Sequence, residues 1–215
     1  MKQNSVENIR EEFRRLKSID KQSNGTYEIR NAQFIVDSPV IFGTPNQDYI
    51  EAELQWYELQ SLEIKDLFDI YGKEVKIWKD IATKCGRVNS NYGWAIYSKD
   101  NYNQYAEVLK ELTLNPASRQ AVMYYTRPTM HVEKNIGGMK DCMCTTHVVY
   151  SIVNGYLEAS VYMRSNDAIF GYMNDVEWQR YVNFKLANDL KVIPGTVTWN
   201  ATSLHIYERH WDLIK

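Results

Sequence analysis

The chain has 215 residues, of which 25 are basic and 27 acidic, so its formal net charge is -2 with both signs interspersed. That balance gives no broad positive field for a polyanion, which argues against a nucleic acid polymer as partner. Hydrophobic residues make up 44%, enough for one well-buried core and a single expected domain over residues 1–215, and no apolar run is long enough for a membrane span.

The amino terminus MKQNSVENIREEF lacks the apolar core of a signal peptide, so the expected location is cytoplasmic, the host cytoplasm for a viral chain. Ser5 or Asn4 is placed to cap a helix whose apolar positions Val6, Ile9, Phe13 and Leu16 recur at helical spacing. Asn24-Gly25 turns the chain into strands marked by Tyr27 and Ile29, then Phe34 and Val36, and Pro39, Gly43 and Pro45 mark a loop. A helix is predicted from Asp48 to about Leu62, with Ile50, Leu54 and Tyr57 on one face and Trp56 beside it. Glu53 lies close to that face; by itself such a residue is ordinarily the edge of a solvated surface.

Ile77-Trp78 and the run from Asn89 to Trp94 are aromatic and turn-rich, which suits either a wall for flat rings or ordinary core. Another helix is predicted from Asn101 to Leu112, ending before Pro116. Ser118-Arg119-Gln120 then leads into an apolar strand, AVMYYT, and Arg127-Pro128.

The stretch from Asp141 to Asp175 concentrates the reactive groups. Val148, Tyr150 and Ile152, then Leu157, Ala159, Val161 and Met163, alternate on either side of Asn154-Gly155, the strongest short signal for a two-residue hairpin. Antiparallel pairing would bring Cys144 and Arg164 to one end of the pair, where a guanidinium favours the nucleophilic thiolate. Beyond it, a helix is predicted from Asp175 to about Leu190, with Asn174 and Glu177 as a capping pair and Val176, Trp178, Val182, Phe184, Leu186 and Leu190 as apolar positions. At its start the helix dipole would favour ionised Asp175. Pro194-Gly195 separates it from a strand-like TVTWNATSLHIYERHW that carries His205 and Tyr207.

MCTTH, then MRSND about twenty residues later, then FGYMND, together with the upstream NSNYGWAIYS, resemble the thymidylate synthase superfamily and within it the phage-type deoxycytidylate (dCMP) hydroxymethylases. The likeness runs from about Phe34 to about Leu213. It implies an α/β (α+β) fold with a large mixed β-sheet flanked by helices and a sheet-mediated homodimer. It also implies a cosubstrate, 5,10-methylenetetrahydrofolate, and a product carrying a hydroxymethyl group at C5 of dCMP. Relatives generally continue past the position of Lys215, so any part a longer tail takes in closing over folate is not expected from this chain.

The resemblance assigns roles residue by residue. Cys144 would add to C6 of the ring, Glu53 in ELQW would organise water and relay protons, and Tyr92 would serve the base through hydrogen bonds. Asp175 stands where thymidylate synthases carry asparagine, and a carboxylate that accepts from the 4-amino group while sharing a proton with N3 selects cytosine over uracil. Arg164, Ser165 and Asn166 would bind substrate, the first two at its phosphate, while His205 and Tyr207 would meet the deoxyribose hydroxyl. Trp78, Asp167 and Gly171 would face the folate. Arg119 would reach a neighbouring subunit's phosphate; relatives pair it with a second arginine where this chain has Gln120, and Arg127 either compensates or is a surface residue.

Taken alone, His205 reads as a structural histidine, Asp175 as a first-turn helix carboxylate and Arg164 as a surface residue. Cys142, Cys144 and His147 contain zinc-type donors, but alternation would place His147 on the opposite face and no fourth ligand stands nearby, so no metal is expected. Other readings are a hydroxymethylase acting on CMP or dUMP, a thymidylate synthase, and a catalytically silent nucleotide-binding protein with the same fold.

Overall fold

The computed structural model describes residues 4–215. Six strands form one sheet: β1 (Thr26–Ile35), β2 (Val122–Tyr124), β3 (Thr145–Val153), β4 (Tyr156–Met163), β5 (Asn166–Asp167) and β6 (Ile193–Tyr207), in the spatial order β1-β6-β4-β3-β2 with β5 alongside β6. Pairing of β6 with β4 and with β5 is parallel, and the other pairs are antiparallel, so the sheet is mixed as expected. The helices are α1 (Val6–Ser18), α2 (Gln47–Glu58), α3 (Ile64–Tyr71), α4 (Lys76–Ile81), α5 (Tyr92–Tyr97), α6 (Gln104–Leu114), α7 (Met130–Glu133) and α8 (Phe170–Leu190).

Strand periodicity decides which face carries the core. Val148 and Tyr150 of β3, Leu157, Ala159, Val161 and Met163 of β4, and Val197, Trp199 and Ala201 of β6 are buried. Their alternates Val149, Ser160, Tyr162 and Asn200 are half-buried or exposed, so the other face carries a thinner cover. α8 is buried nearly all round, from Tyr172 to Ala187, and connects the parallel strands β4 and β6. Phe184, expected on an apolar face, is 57% exposed.

The predicted hairpin is present: Asn154 and Gly155 have φ of 52° and 83°, a turn that only residues tolerant of left-handed backbone form easily. Ser5 caps α1 and exchanges bonds with Asn8. Several boundaries differ from expectation. The two early strands are one, because Asn31 takes a left-handed φ of 53° without ending the pairing to β6. α6 begins at Gln104 because Tyr102 and Asn103, both left-handed, separate it from a short 3-10 turn. Pro194-Gly195 lies inside β6, where proline is tolerated at the start of a strand.

The correction with chemical weight concerns α8. It starts at Phe170, its N-cap is Ile169, and Asn174 and Glu177 cap nothing. Asp175 is therefore the sixth residue of the helix, past the first turn in which the dipole acts, so the expected push toward its ionised form falls away.

Candidate active site

Every site residue singled out from the sequence, except Arg119 and its alternative Arg127, lines one cavity of about 790 Å³. It lies where β3 begins and where β4, β5 and β6 end, roofed by α2, α4 and the start of α8. Arg119 is exposed and does not line it.

The nucleophile candidate is set by the hairpin. Cys144 immediately precedes β3 and Arg164 immediately follows β4; Arg164 N–H donates to the Cys144 carbonyl at 3.0 Å, and Arg164 Nη2 lies 3.7 Å from Cys144 Sγ. The same guanidinium donates to the carbonyls of Met143 and Cys142 at 3.0 and 2.5 Å. From the other side, Asp141 accepts from the Asn89 and Ser90 amides at 2.7 Å each and from Ser90 Oγ at 2.6 Å. The loop that carries the thiol is thus clamped twice. Burial nonetheless pushes the thiol up to about 11, against the pull of Arg164, so the expected thiolate is not the resting form of the ligand-free site.

Two carboxyls face the same space. Asp175 accepts from Tyr92 Oη at 2.9 Å and from Asn166 Nδ2 at 2.8 Å, and Tyr92 in turn accepts from Thr145 Oγ1 at 3.1 Å. Desolvation, reinforced by the charge of Glu53, moves Asp175 up to about 8 although it remains partly accessible through the cavity. Glu53, 6% exposed, is raised to about 7 by desolvation, which outweighs the stabilising hydroxyls around it. Both carboxyls therefore hold protons at pH values where ordinary carboxyls have lost them.

Aromatic packing fixes these groups. Tyr57 stacks on Tyr92 with ring centroids 5.2 Å apart and packs edge-on against Trp178 at 5.1 Å. The stack exists because α5 approaches α2 at Gly93, where a Cβ would sit 1.8 Å from the Tyr57 carbonyl oxygen. Trp78 meets Trp56 edge-on at 5.1 Å and donates its indole N–H to Tyr49 Oη at 2.8 Å. Tyr49, absent from the sequence reading, donates to Glu53 Oε1 at 2.6 Å. Its signal was its place one helical turn before Glu53 on the same face. Asp141 was also missed, since its partners lie about fifty residues away in sequence.

At the far wall, His205 packs edge-on against Tyr207, and its Nδ1 is 3.3 Å from Ser203 Oγ. Gly171 sits against Asp167 and Asn166, and a Cβ there would come within 3.2 Å of the Asp167 side chain. Arg127 is committed elsewhere: it bonds Asn89 Oδ1 at 2.9 Å and Glu133 at 2.6 Å, lies over the Trp94 ring, and does not line the cavity. His147 stacks on Tyr162 at 4.5 Å, and among the described residues no group of three or more His, Cys, Asp or Glu side chains is arranged around a metal position.

The thymidylate synthase family profile matches residues 44–215. The deoxycytidylate 5-hydroxymethyltransferases of Enterobacteria phages T4 and T2 are each 47% identical to this chain over 203 residues, covering 91% of it and 81% of their own length. A thymidylate synthase of Francisella tularensis subsp. holarctica is 25% identical over 172 residues, covering 75% of this chain and 62% of its own.

Proposed function

The chain belongs to the thymidylate synthase family, and from that premise we propose that residues 1–215 act as one catalytic domain that makes 5-hydroxymethyl-dCMP from dCMP, 5,10-methylenetetrahydrofolate and water, releasing tetrahydrofolate. The observation that carries this reading is that Cys144, Glu53 and Asp175 open onto one cavity, with a carboxyl and not an amide at position 175. The activity for which the phage relatives are named, at 47% identity, points the same way.

The folate cosubstrate supplies the one-carbon unit at the oxidation level of formaldehyde. Its flat pterin suits the wall made by Trp78, whose N–H is already engaged, with Asp167 as a hydrogen-bonding carboxylate beside Gly171.

Cys144 Sγ adds to C6 of the cytosine ring as its proton passes to water in the cavity, and C5 becomes nucleophilic enough to bond the one-carbon unit. A thiol raised by burial needs a compensating electrophile, and Asp175 provides it. Holding its proton to about pH 8, it shares that proton with N3 and accepts from the 4-amino group, drawing electrons from C6. Uracil reverses donor and acceptor at these positions, an order that asparagine meets without a shared proton. After loss of the C5 proton and of tetrahydrofolate, the ring carries an exocyclic methylene. Glu53 takes a proton from water as the oxygen bonds that methylene; the C6–S bond then breaks, restoring the ring and the thiol.

Arg164 and Ser165 hold the substrate phosphate, Asn166 holds Asp175, and His205 with Tyr207 meets the sugar hydroxyl. Arg119, exposed outside its own cavity, completes the phosphate site of a second copy in a homodimer. No helix among the described residues is long and apolar enough to cross a membrane.

The test offers dCMP, dUMP or CMP with methylenetetrahydrofolate, weighs the product and follows dihydrofolate absorbance. Hydroxymethyl-dCMP without dihydrofolate is expected, with no turnover in Cys144→Ala and a shift toward dUMP in Asp175→Asn. Dihydrofolate production, turnover without the thiol, or unchanged base preference overturns the reading.

A further inference from the structure

We propose that Tyr49 is a positioning residue for Glu53, whose hydroxyl confines proton exchange on that carboxyl to the one oxygen it does not touch. The proposal rests on the reading of Glu53 as the group that handles water.

Donor counting carries the argument. An indole has an N–H and no acceptor, so at 2.8 Å Trp78 Nε1 can only donate to Tyr49 Oη. The phenol then has a single proton to give, and it lies 2.6 Å from Glu53 Oε1. Oε1 is consequently an acceptor in both protonation states of Glu53, since a proton on it would face the phenol's own. Any proton that Glu53 takes from water or returns sits on Oε2.

The phenol has little freedom to do otherwise. Its backbone N–H is held by Asn46, the N-cap of α2, and its ring packs edge-on against Tyr71 at 5.3 Å. Asn46 Nδ2 also donates to Tyr71 Oη at 2.8 Å, so cap, neighbour and phenol form one braced unit. The ionisable groups facing Glu53 are Tyr49 and Tyr57 on its own helix and Asp175 on α8, while Tyr92 on α5, Lys73 and Glu74 between α3 and α4, and Lys76 at the start of α4 line the same cavity. Among these, Tyr49 supplies a short hydroxyl bond that strengthens when Glu53 ionises. The phenol, first among the donors with Tyr57 and Trp78 acting in the same direction, thereby counteracts burial and keeps the carboxyl usable as a base near neutrality.

The test is a pair of titrations on the full chain. Difference infrared spectroscopy of ligand-free protein follows the Glu53 carboxyl, identified as the band lost in Glu53→Gln. Removing a hydrogen bond to a charged acceptor in Tyr49→Phe raises the Glu53 midpoint by about one unit or more. The pH–kcat limb for hydroxymethyl product moves up with it, so turnover falls about tenfold below the limb, and the loss shrinks as pH rises toward about 8, where Asp175 gives up its own proton. An infrared midpoint that does not move, or a kcat lowered equally at every pH, overturns the proposal. If Tyr49→Phe does not fold, Trp78→Phe removes the donor that orients the phenol, and an unshifted infrared midpoint there overturns it as well. Failure of the underlying reading looks different: Glu53→Gln would then still form hydroxymethyl product.

Discussion

Replacing Asp175 by asparagine removes an ionisable group while nearly preserving its shape, and it turns the electrostatics of the cavity into a stability measurement. Burial raises the folded carboxyl from 3.8 to about 8. The unfolded chain gives up that proton near pH 4 and the folded protein keeps it, so this group's contribution to stability is lost as pH rises from about 4 to about 8 and is constant thereafter. A shift of about four units corresponds to roughly 6 kcal/mol at ~1.4 kcal/mol per unit. Water in the cavity reaches Asp175 and screens part of that penalty, which leaves on the order of 3 kcal/mol. Urea unfolding of the ligand-free parent and of Asp175→Asn should therefore diverge with pH. At pH 5 the variant is the less stable, because its amide has one acceptor oxygen where the carboxyl offers two, so it cannot accept from both Asn166 and Tyr92. Between pH 5 and pH 9 the difference should move in the variant's favour by on the order of 3 kcal/mol. A difference that stays constant with pH would refute the buried-proton argument.

Gly93→Ala places a Cβ 1.8 Å from the Tyr57 carbonyl oxygen, against backbone that has no cheap way to yield. A loss of roughly 3 kcal/mol is expected, lowering Tm by about 10 °C, and a Tm within about 2 °C of the parent would contradict the close approach. Asp141→Ala strands the Asn89 and Ser90 amides and the Ser90 hydroxyl. Roughly 3 kcal/mol of stability should go with them, and alkylation of Cys144 should change rate as its loop loosens; unchanged values for both would remove Asp141 from the clamp.

How much of this was legible beforehand differs from element to element. The hairpin was fully visible, because Asn154-Gly155 and the alternation around it are local signals. Glu53 and Asp175 were visible only through resemblance, since a carboxylate near a helix face carries no local mark of whether solvent or a cavity lies beyond it. The start of α8 was misread because Asn174 and Glu177 mimic a cap, whereas Phe170 and Gly171 continue the helix backward where tertiary packing supports it. The resting state of Cys144 was misjudged for a related reason. An arginine nearby in space is inferable from a hairpin, but the desolvation that outweighs it depends on how the whole cavity closes.

The sheet order pairs strands that lie far apart along the polypeptide. β1, the earliest of the six strands in the chain, has its sheet neighbour in β6, the latest of them, with Thr26 opposite Tyr207 and Ile35 opposite Thr198. A growing chain on the ribosome thus leaves β1 without its sheet partner until β6 has emerged, and His205 and Tyr207 take their places only after the other five strands have been made. Catalytic competence should consequently appear late and abruptly during translation, with nascent chains stalled before residue 193 binding no nucleotide however well their helices have formed.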